Sequence, residues 1–581
     1  MLKLFRYLKP YWWQTILLVF SIGAQTFLTL QLPALMANIV NDGITAGDQP
    51  VIIELGLKMV GFTVLASLFA LAAHYLSAKV GAGFTRDLRR DFYKKVLSLN
   101  ISEIDNFSTA SLITRTTNDI GQVSEAIMMI LTMMLRAPMM GIGAIIQAFR
   151  TAPDLTWTIA LGIGVIITFT AIIMACVIPK FKLFQKLIDR LVLIARENLT
   201  GLRVVRAFNK EEYENKKFAK TNHEITKTAI FFDRLMSLQD PLTNLVFDGI
   251  TLLVVWLSLN HLETDISYLG DMMAFVQYAS QVLMAFLILT MLFVVLPRAN
   301  VSAGRIQEVF KTKNKIIWKN KTEGVPDKRP SVEFKNVDFL YSGAEEKVLN
   351  NISFKANAGE TTAFIGSTGS GKSTLISLVP RFYEATNGEI LVNGVNVKNY
   401  APEDLMRRIG YVPQKGVLFS GTIRENIAFG ATTIDEPSVR TSAKISQSYD
   451  FIEKLDKKFD AHIAQGGSNV SGGQKQRLSI ARVIAKKPEI FIFDDSFSAL
   501  DMKTDKRLRE ALKPETKDSV VLIVAQRINT IKDAEQIIVL DQGKIMGRGR
   551  HYDLLKSCSV YREIVKSQFS EAEFEKEIAH A

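Results

Sequence analysis

The sequence predicts two folds in one chain: an all-α membrane domain of six transmembrane helices, then an α/β domain. Three observations predict it. Six apolar stretches between residues 1 and 310 are long enough to cross a bilayer, which takes roughly 20 residues of helix. Beyond residue 330, short apolar runs alternate with helical patterns, as in sheets covered by helices on both faces. Between two such elements lies a glycine-rich segment, Gly366–Ser373. Composition agrees, because 48% of the 581 residues are hydrophobic, 22% are charged, and mean hydropathy is +0.15. Disorder and an ordinary soluble enzyme are excluded on those figures. The two cysteines, Cys176 and Cys558, make no disulfide framework and lack metal-ligand spacing.

Four spans are free of charge: Lys9 to Asp42 (ends excluded), Met59–Ala78, Leu155–Pro179 and Met272–Pro297. Two more carry one charge each, Ile127–Phe149 with Arg136 and Pro241–Asn260 with Asp248. Charges at such depth are functional candidates by default. The loops Asp42–Pro50 and His261–Asp271 contain no Lys or Arg. The long loops after spans 2 and 4 are basic, with Arg86, Arg89, Arg90, Lys94 and Lys95 in one and Arg196, Arg203, Arg206, Lys216 and Lys217 in the other. The positive-inside rule then puts the long loops and both termini in the cytoplasm. The net charge of +12 is thereby explained by topology, and no nucleic-acid partner is expected. Val80–Leu99 and Phe184–Ala207 keep helical spacing, so the spans are expected to continue into the cytosol as helices and to meet at polar turns, Ser102–Ser111 and Asn209–Phe218.

These features divide the chain into a six-span membrane domain (1–310), a linker rich in Lys and Asn (311–330), an α/β domain (331–570) and a C-terminal tail (571–581). In the α/β domain, Val332–Leu340 alternates with period two, whereas Thr362–Ile365, Ile490–Phe493 and Val520–Val524 are apolar throughout, as buried parallel strands are. The run from Thr362 to Ser373 is a strand followed by GxxxxGKS. In that pattern the backbone curls with its N–H groups inward and a helix start adds its positive end, which cradles phosphates. The domain is therefore read as an α/β P-loop nucleotide-binding domain. Gly366, Ser367, Thr368, Gly369, Ser370, Gly371, Lys372, Ser373 and Thr374 are its expected phosphate contacts. Lys372 would reach the β- and γ-phosphates, and Ser373 would hold Mg²⁺. Asp494, at the end of the strand Ile490–Phe493, can orient the same ion through its water shell.

A third motif carries a resemblance. Asn469-Val-Ser-Gly-Gly-Gln-Lys-Gln-Arg477 resembles the LSGGQ signature of ATP-binding cassette (ABC) proteins, with Val470 at the leading Leu. The resemblance covers almost the whole chain and implies an export-type half-transporter that binds ATP and Mg²⁺. It assigns Tyr341 to adenine stacking, Gln414 to sensing the γ-phosphate and Mg²⁺, and Ser471, Gly472, Gly473 and Gln474 to the nucleotide held by a partner. Ser498–Asp501 resembles the loop that crosses the dimer interface. Phe107–Asp119 and Glu197–Phe208 resemble the two coupling loops of such exporters.

Three positions depart from the family pattern. Asp495 stands where the catalytic Glu is usual, Gln526 where the switch His is usual, and Gln465 where many exporters have Glu. A general base must lie within about 2.6–3.2 Å of its proton, directly or through one water, and Asp is one methylene short. Glutamine can donate a hydrogen bond but cannot titrate as His does. Binding should survive better than hydrolysis. Catalysis is thus assigned to Asp495, Gln526 and Gln414, metal binding to Ser373, Gln414 and Asp494, and nucleotide binding also to Asp501. The resemblance narrows to the degenerate half of bacterial heterodimeric multidrug exporters. Its partner, a second half-transporter, would carry Glu and His. The expected location is the bacterial plasma membrane, and the expected cargo an amphipathic small molecule. Export of a lipid, peptide or metabolite, a purely regulatory ATP-binding subunit, and a homodimeric exporter are the alternatives.

Overall fold

The computed structural model describes residues 1–262, 268–430 and 435–580. Two compact units emerge: residues 1–97 with 110–311, and residues 98–109 with 312–581.

Among the described residues, the first unit holds six long apolar helices: Lys3–Ile44, Gln49–Leu97, Thr109–Thr151, Pro153–Thr200, Glu211–Leu259 and Tyr268–Lys311. Hydropathy sets their existence, and the amphipathic segments beyond the apolar runs set their length. Gln49–Leu97 and Thr156–Thr200 are unbroken helices of 49 and 45 residues, so the basic segments do continue the spans. Large side chains such as Leu57, Leu68, Leu71 and Tyr75 remain exposed on the second helix. A surface this apolar is stable only against lipid or another apolar face. Inside, Leu30, Ile159, Val246, Ile250, Phe275 and Val282 form one core, and Tyr278 donates its hydroxyl to the Leu30 carbonyl at 3.0 Å. Gly162 permits the close approach of two helices there, since a Cβ would lie 2.1 Å from Ile250 Cδ1.

Several details differ from expectation. Ser102–Ser111 is not a plain turn: Ile101–Phe107 is a helix, followed by Ser108 at φ 58°. The second turn is confined to a few residues around Asn209 (φ 52°), because Glu211–Ser237 is already helical. Among the described residues, three π-helical segments, Ile39–Ile44, Arg115–Asp119 and Ile130–Met134, interrupt the spans. Arg136 sits half-buried just after the last of these, and Asp248 is exposed on Gln239–Leu262; among the described residues neither forms an ion pair. Part of the loop expected at His261–Asp271, residues 263–267, lies outside the described residues.

The second unit holds the α/β domain. A six-stranded sheet runs, edge to edge, Lys544–Gly549, Gln536–Asp541, Thr361–Gly366, Val520–Val524, Ile490–Asp494 and Ile409–Val412. All its pairings are parallel except the edge hairpin of the first two strands. Val524 pairs with both Phe364 and Asp494, so the carboxyl ends of three strands finish side by side. Ligands in open α/β sheets bind at such ends. Ser331–Phe339 instead pairs antiparallel, with Leu349–Asn357 and Asn387–Val392. The linker is tied down: Ile316 is buried, and the N–H groups of Glu323 and Asp327 donate to the carbonyls of Asn399 and Asn393. The expected tail also has structure, a helix Glu571–His580 that buries Phe574.

Candidate nucleotide site

The phosphate loop leaves the strand Thr361–Gly366 and enters the helix Lys372–Leu378. Two glycines are obligatory. Gly366 has φ 157° and a Cβ there would meet the Leu540 carbonyl oxygen at 1.9 Å; Gly371, the helix cap, has φ 95°. Gly369, at φ 84°, has nothing within 4 Å of the position a Cβ would take. The result is a curled backbone with an open side, which fits a phosphate. Lys372 is 8% exposed and folds onto the loop, donating to the carbonyls of Gly366 (2.9 Å) and Ser367 (2.7 Å) and to Ser370 Oγ (3.3 Å). Burial lowers its pKa below the usual lysine value, against the opposing pull of Asp495 and Asp494.

The neighbouring strand brings two carboxylates to the same place. Ser373 donates to Asp494 Oδ1 at 2.6 Å, and Tyr411 donates to Asp494 Oδ2 at 3.1 Å. A hydroxyl and a carboxylate side by side are hard oxygen donors, which suits Mg²⁺. Next to it, Asp495 is 7% exposed and takes a left-handed backbone (φ 46°), a conformation Asp tolerates better than most residues. Both glutamines converge on one atom: Gln526 Nε2 donates to Asp495 Oδ2 at 3.1 Å and Gln414 Nε2 at 3.3 Å. Burial raises the Asp495 pKa above the ordinary carboxylate value, with the Gln414 and Ser498 hydrogen bonds opposing it.

The structure thus joins the phosphate loop, Asp494, Asp495, Gln414 and Gln526. Tyr341 reaches the cluster through its hydroxyl, 3.0 Å from Thr374 Oγ1; its ring is 36% exposed and stands edge-on to Phe339 and Tyr383. The signature residues form a separate group. Ser471 caps the helix Gly472–Lys486, accepting from the Gln474 N–H, while Gln474 Oε1 accepts from the Ser471 N–H. Gly473 lies against the Ala499 carbonyl, so the signature adjoins the Ser498–Asp501 loop. Asp501 caps the next helix, accepting from the Thr504 N–H at 2.9 Å. Among the described residues, no hydrogen bond joins Ser471–Gln474 to the phosphate loop.

Sequence reasoning missed several participants. Tyr411 orients Asp494. Arg527 donates to the carbonyls of Leu500 and Ser498, fixing the Ser498–Asp501 loop. Tyr383 donates to Asp105 at 2.9 Å, tying the short helix Ile101–Phe107 to the aromatic group around Tyr341. No motif spacing announces these pairs, which lie far apart in the chain.

A phosphate loop, a strand-end carboxylate and an isolated helix-capping signature, in a chain with six apolar spans, define a membrane protein that binds nucleoside triphosphate. Residues 15–286 match the family described as the ABC transporter transmembrane region, and residues 349–498 match the ABC transporter family. The chain is 38% identical over 570 residues, covering 97% of both proteins, to an uncharacterized ABC transporter ATP-binding protein of Mycobacterium tuberculosis. It is 35% identical over 571 residues to one of Bacillus subtilis (98% and 99% covered). It is 31% identical over 581 residues to an ATP-dependent lipid A-core flippase of Hahella chejuensis (98% and 97% covered). A bacterial Atm1-family ABC exporter solved with ATP bound shares the fold, with TM-score 0.78 at 24% identity, covering 97% of this chain and all of that one. The chain belongs to the ABC transporters. It is a multi-pass membrane protein that joins the family's transmembrane region and its ATP-binding domain in one chain, with the fold of an ABC exporter.

Proposed function

We propose that this chain is the hydrolysis-impaired subunit of a heterodimeric bacterial exporter of amphipathic compounds. One observation carries the reading: the buried carboxylate of Asp495 is held by two amides, Gln526 and Gln414, neither of which can take a proton. A homodimer would repeat that arrangement at both sites. With a partner carrying Glu and His, one site would be complete, built from the partner's phosphate loop and Ser471–Gln474 of this chain.

In this reading the phosphate loop and Lys372 bind the triphosphate, Tyr341 the adenine, and Asp501 the interface. Ser373, Asp494 and Gln414 would hold Mg²⁺, which neutralises phosphate charge when bound. Asp495 orients water weakly, so ATP is retained here for longer than at the partner's site. Two bound ATPs favour only the closed pair of ATP-binding domains, and so shift the population toward it. The segments around Asp105 and Arg206 pass that change to the helices. The membrane is the cell membrane, with both termini cytoplasmic. An amphipathic cargo is supported by the relative named as a lipid A-core flippase and by the methionines of the third span (Met128, Met129, Met133, Met134, Met139 and Met140), whose soft side chains adapt to varied apolar ligands.

The test is ATP binding and turnover by the chain purified alone in lipid. Retained binding with near-zero turnover is expected. Turnover on the order of 1 s⁻¹, ordinary for enzymes, would make Asp495 a working base and favour a homodimer.

A further inference from the structure

The segment that carries Gln526 is gripped by the C-terminal part of the chain. Gln568 ends the helix Ser559–Gln568, whose Tyr561 and Val565 are fully buried. Its side-chain amide pairs with backbone in both directions. Nε2 donates to the Gln526 carbonyl at 2.6 Å, and Oε1 accepts from the Ile528 N–H at 2.9 Å. Ile528 opens the short helix Ile528–Ile531, so its N–H has no partner within that helix and Gln568 satisfies it. The residue between the two contacts, Arg527, donates to Leu500 and Ser498 of the Ser498–Asp501 loop. Gln526 itself donates to Asp495. The backbone at 526–528 is therefore held from the C-terminal helix on one side and the Ser498–Asp501 loop on the other, and Gln526 meets Asp495 from that held segment.

We propose that Gln568 is a positioning residue for ATP cleavage: its amide clamps residues 526–528 and so sets where Gln526 presents its own amide to Asp495. The proposal rests on the reading of Gln526 and Asp495 as the hydrolytic pair of this chain. It makes the C-terminal helices part of the nucleotide site, although no motif lies in them.

The test uses the full chain in lipid nanodiscs. Gln568→Met keeps the side chain's length and removes both hydrogen bonds. Gln568→Glu keeps the acceptor for Ile528 and sets a second acceptor against the Gln526 carbonyl. Each is made in the natural chain and in an Asp495→Glu host, where cleavage is expected to be fast. Amide exchange of the 525–531 peptide is read alongside single-turnover cleavage. Gln568→Met is expected to speed exchange at Ile528 and to slow cleavage roughly tenfold, the scale of two lost hydrogen bonds. ATP affinity should stay within about twofold, since the change lies outside the phosphate loop. Gln568→Glu should slow cleavage while Ile528 stays protected. In a Gln526→Ala background Gln568→Met should have no further effect, because its influence passes through Gln526. Unchanged exchange, an equal loss in the Gln526→Ala background, or a parallel fall in ATP affinity would each overturn the proposal. Failure of the host to cleave faster would instead count against the impaired-site reading, and the exchange measurement would still decide the clamp.

Discussion

Replacing Asp495 by Glu tests whether reach is what limits cleavage. The Asp495 carboxylate cannot advance to compensate for its short side chain. It is buried, its backbone is fixed by an N–H bond to the Val524 carbonyl at 3.0 Å, and Oδ2 is already engaged by Gln526 and Gln414. Glutamate adds one carbon–carbon bond, about 1.5 Å. A reacting group misplaced by about 1 Å costs on the order of 100-fold, or about 2.7 kcal/mol at 1.36 kcal/mol per decade. Asp495→Glu is therefore expected to raise kcat about 100-fold at saturating ATP, with ATP affinity nearly unchanged because the phosphate loop is untouched. Phosphate release by the purified chain in lipid measures it. Thermal unfolding should show a small loss, since Glu suits the left-handed backbone at this position less well than Asp. A gain of less than about threefold in a folded, ATP-binding variant would refute the argument from reach.

Acidification should reduce whatever turnover the natural chain has. Burial raises the Asp495 pKa, so its carboxylate form is lost as pH falls through a value above the ordinary 3.9 or so, which the acid limb of turnover against pH measures. The stability sign is opposite: a raised carboxyl pKa favours the folded state at low pH, and that contribution is lost as pH rises through the folded value, which Asp495→Asn should abolish in pH-dependent denaturation. Ser471→Ala removes the cap of Gly472–Lys486 and should cost about 1 kcal/mol in a urea titration; in a complex with the partner it should lower turnover while leaving ATP binding by this chain intact. Tyr383→Phe deletes the hydrogen bond to Asp105 and should lower stability by about 1 kcal/mol. Stimulation of ATP turnover by transported compounds should weaken, and unchanged stimulation would mean that the bond is only structural.

Much of the architecture was legible because it rests on hydrophobicity, which composition reports directly. The spans, the period-two strand at Ser331–Phe339 and the buried run Val520–Val524 needed no tertiary knowledge. Ile101–Phe107 was hidden because seven residues carry too little periodicity to separate a helix from a turn. The π-helical segments left no mark, since no local spacing separates a single i→i+5 turn from the α-helix around it. The phosphate loop was legible because GxxxxGKS is a local device whose glycines serve backbone angles, as at Gly366 and Gly371. The convergence of Gln414 and Gln526 on a single oxygen of Asp495 was not, because it depends on strand register and on a left-handed residue that no spacing encodes. Gln568 lies 42 residues from Gln526 and looks like any surface glutamine until the fold brings them together.

The chain enters its second unit twice, at residues 98–109 and again from 312 onward. This has a consequence for synthesis. Asp105 precedes Tyr383 by 278 residues, and at about 5–20 residues per second the ribosome needs roughly 15–60 s to supply the partner. A seven-residue helix is not stable alone. During that interval Ile101–Phe107 waits as an unstructured segment between two helices that can already have inserted, with the Glu103 carboxylate, buried in the finished fold, open to water. Docking of this segment is thus a late event that waits for synthesis to pass Tyr383. A chain halted before Tyr383 would display the segment to proteases.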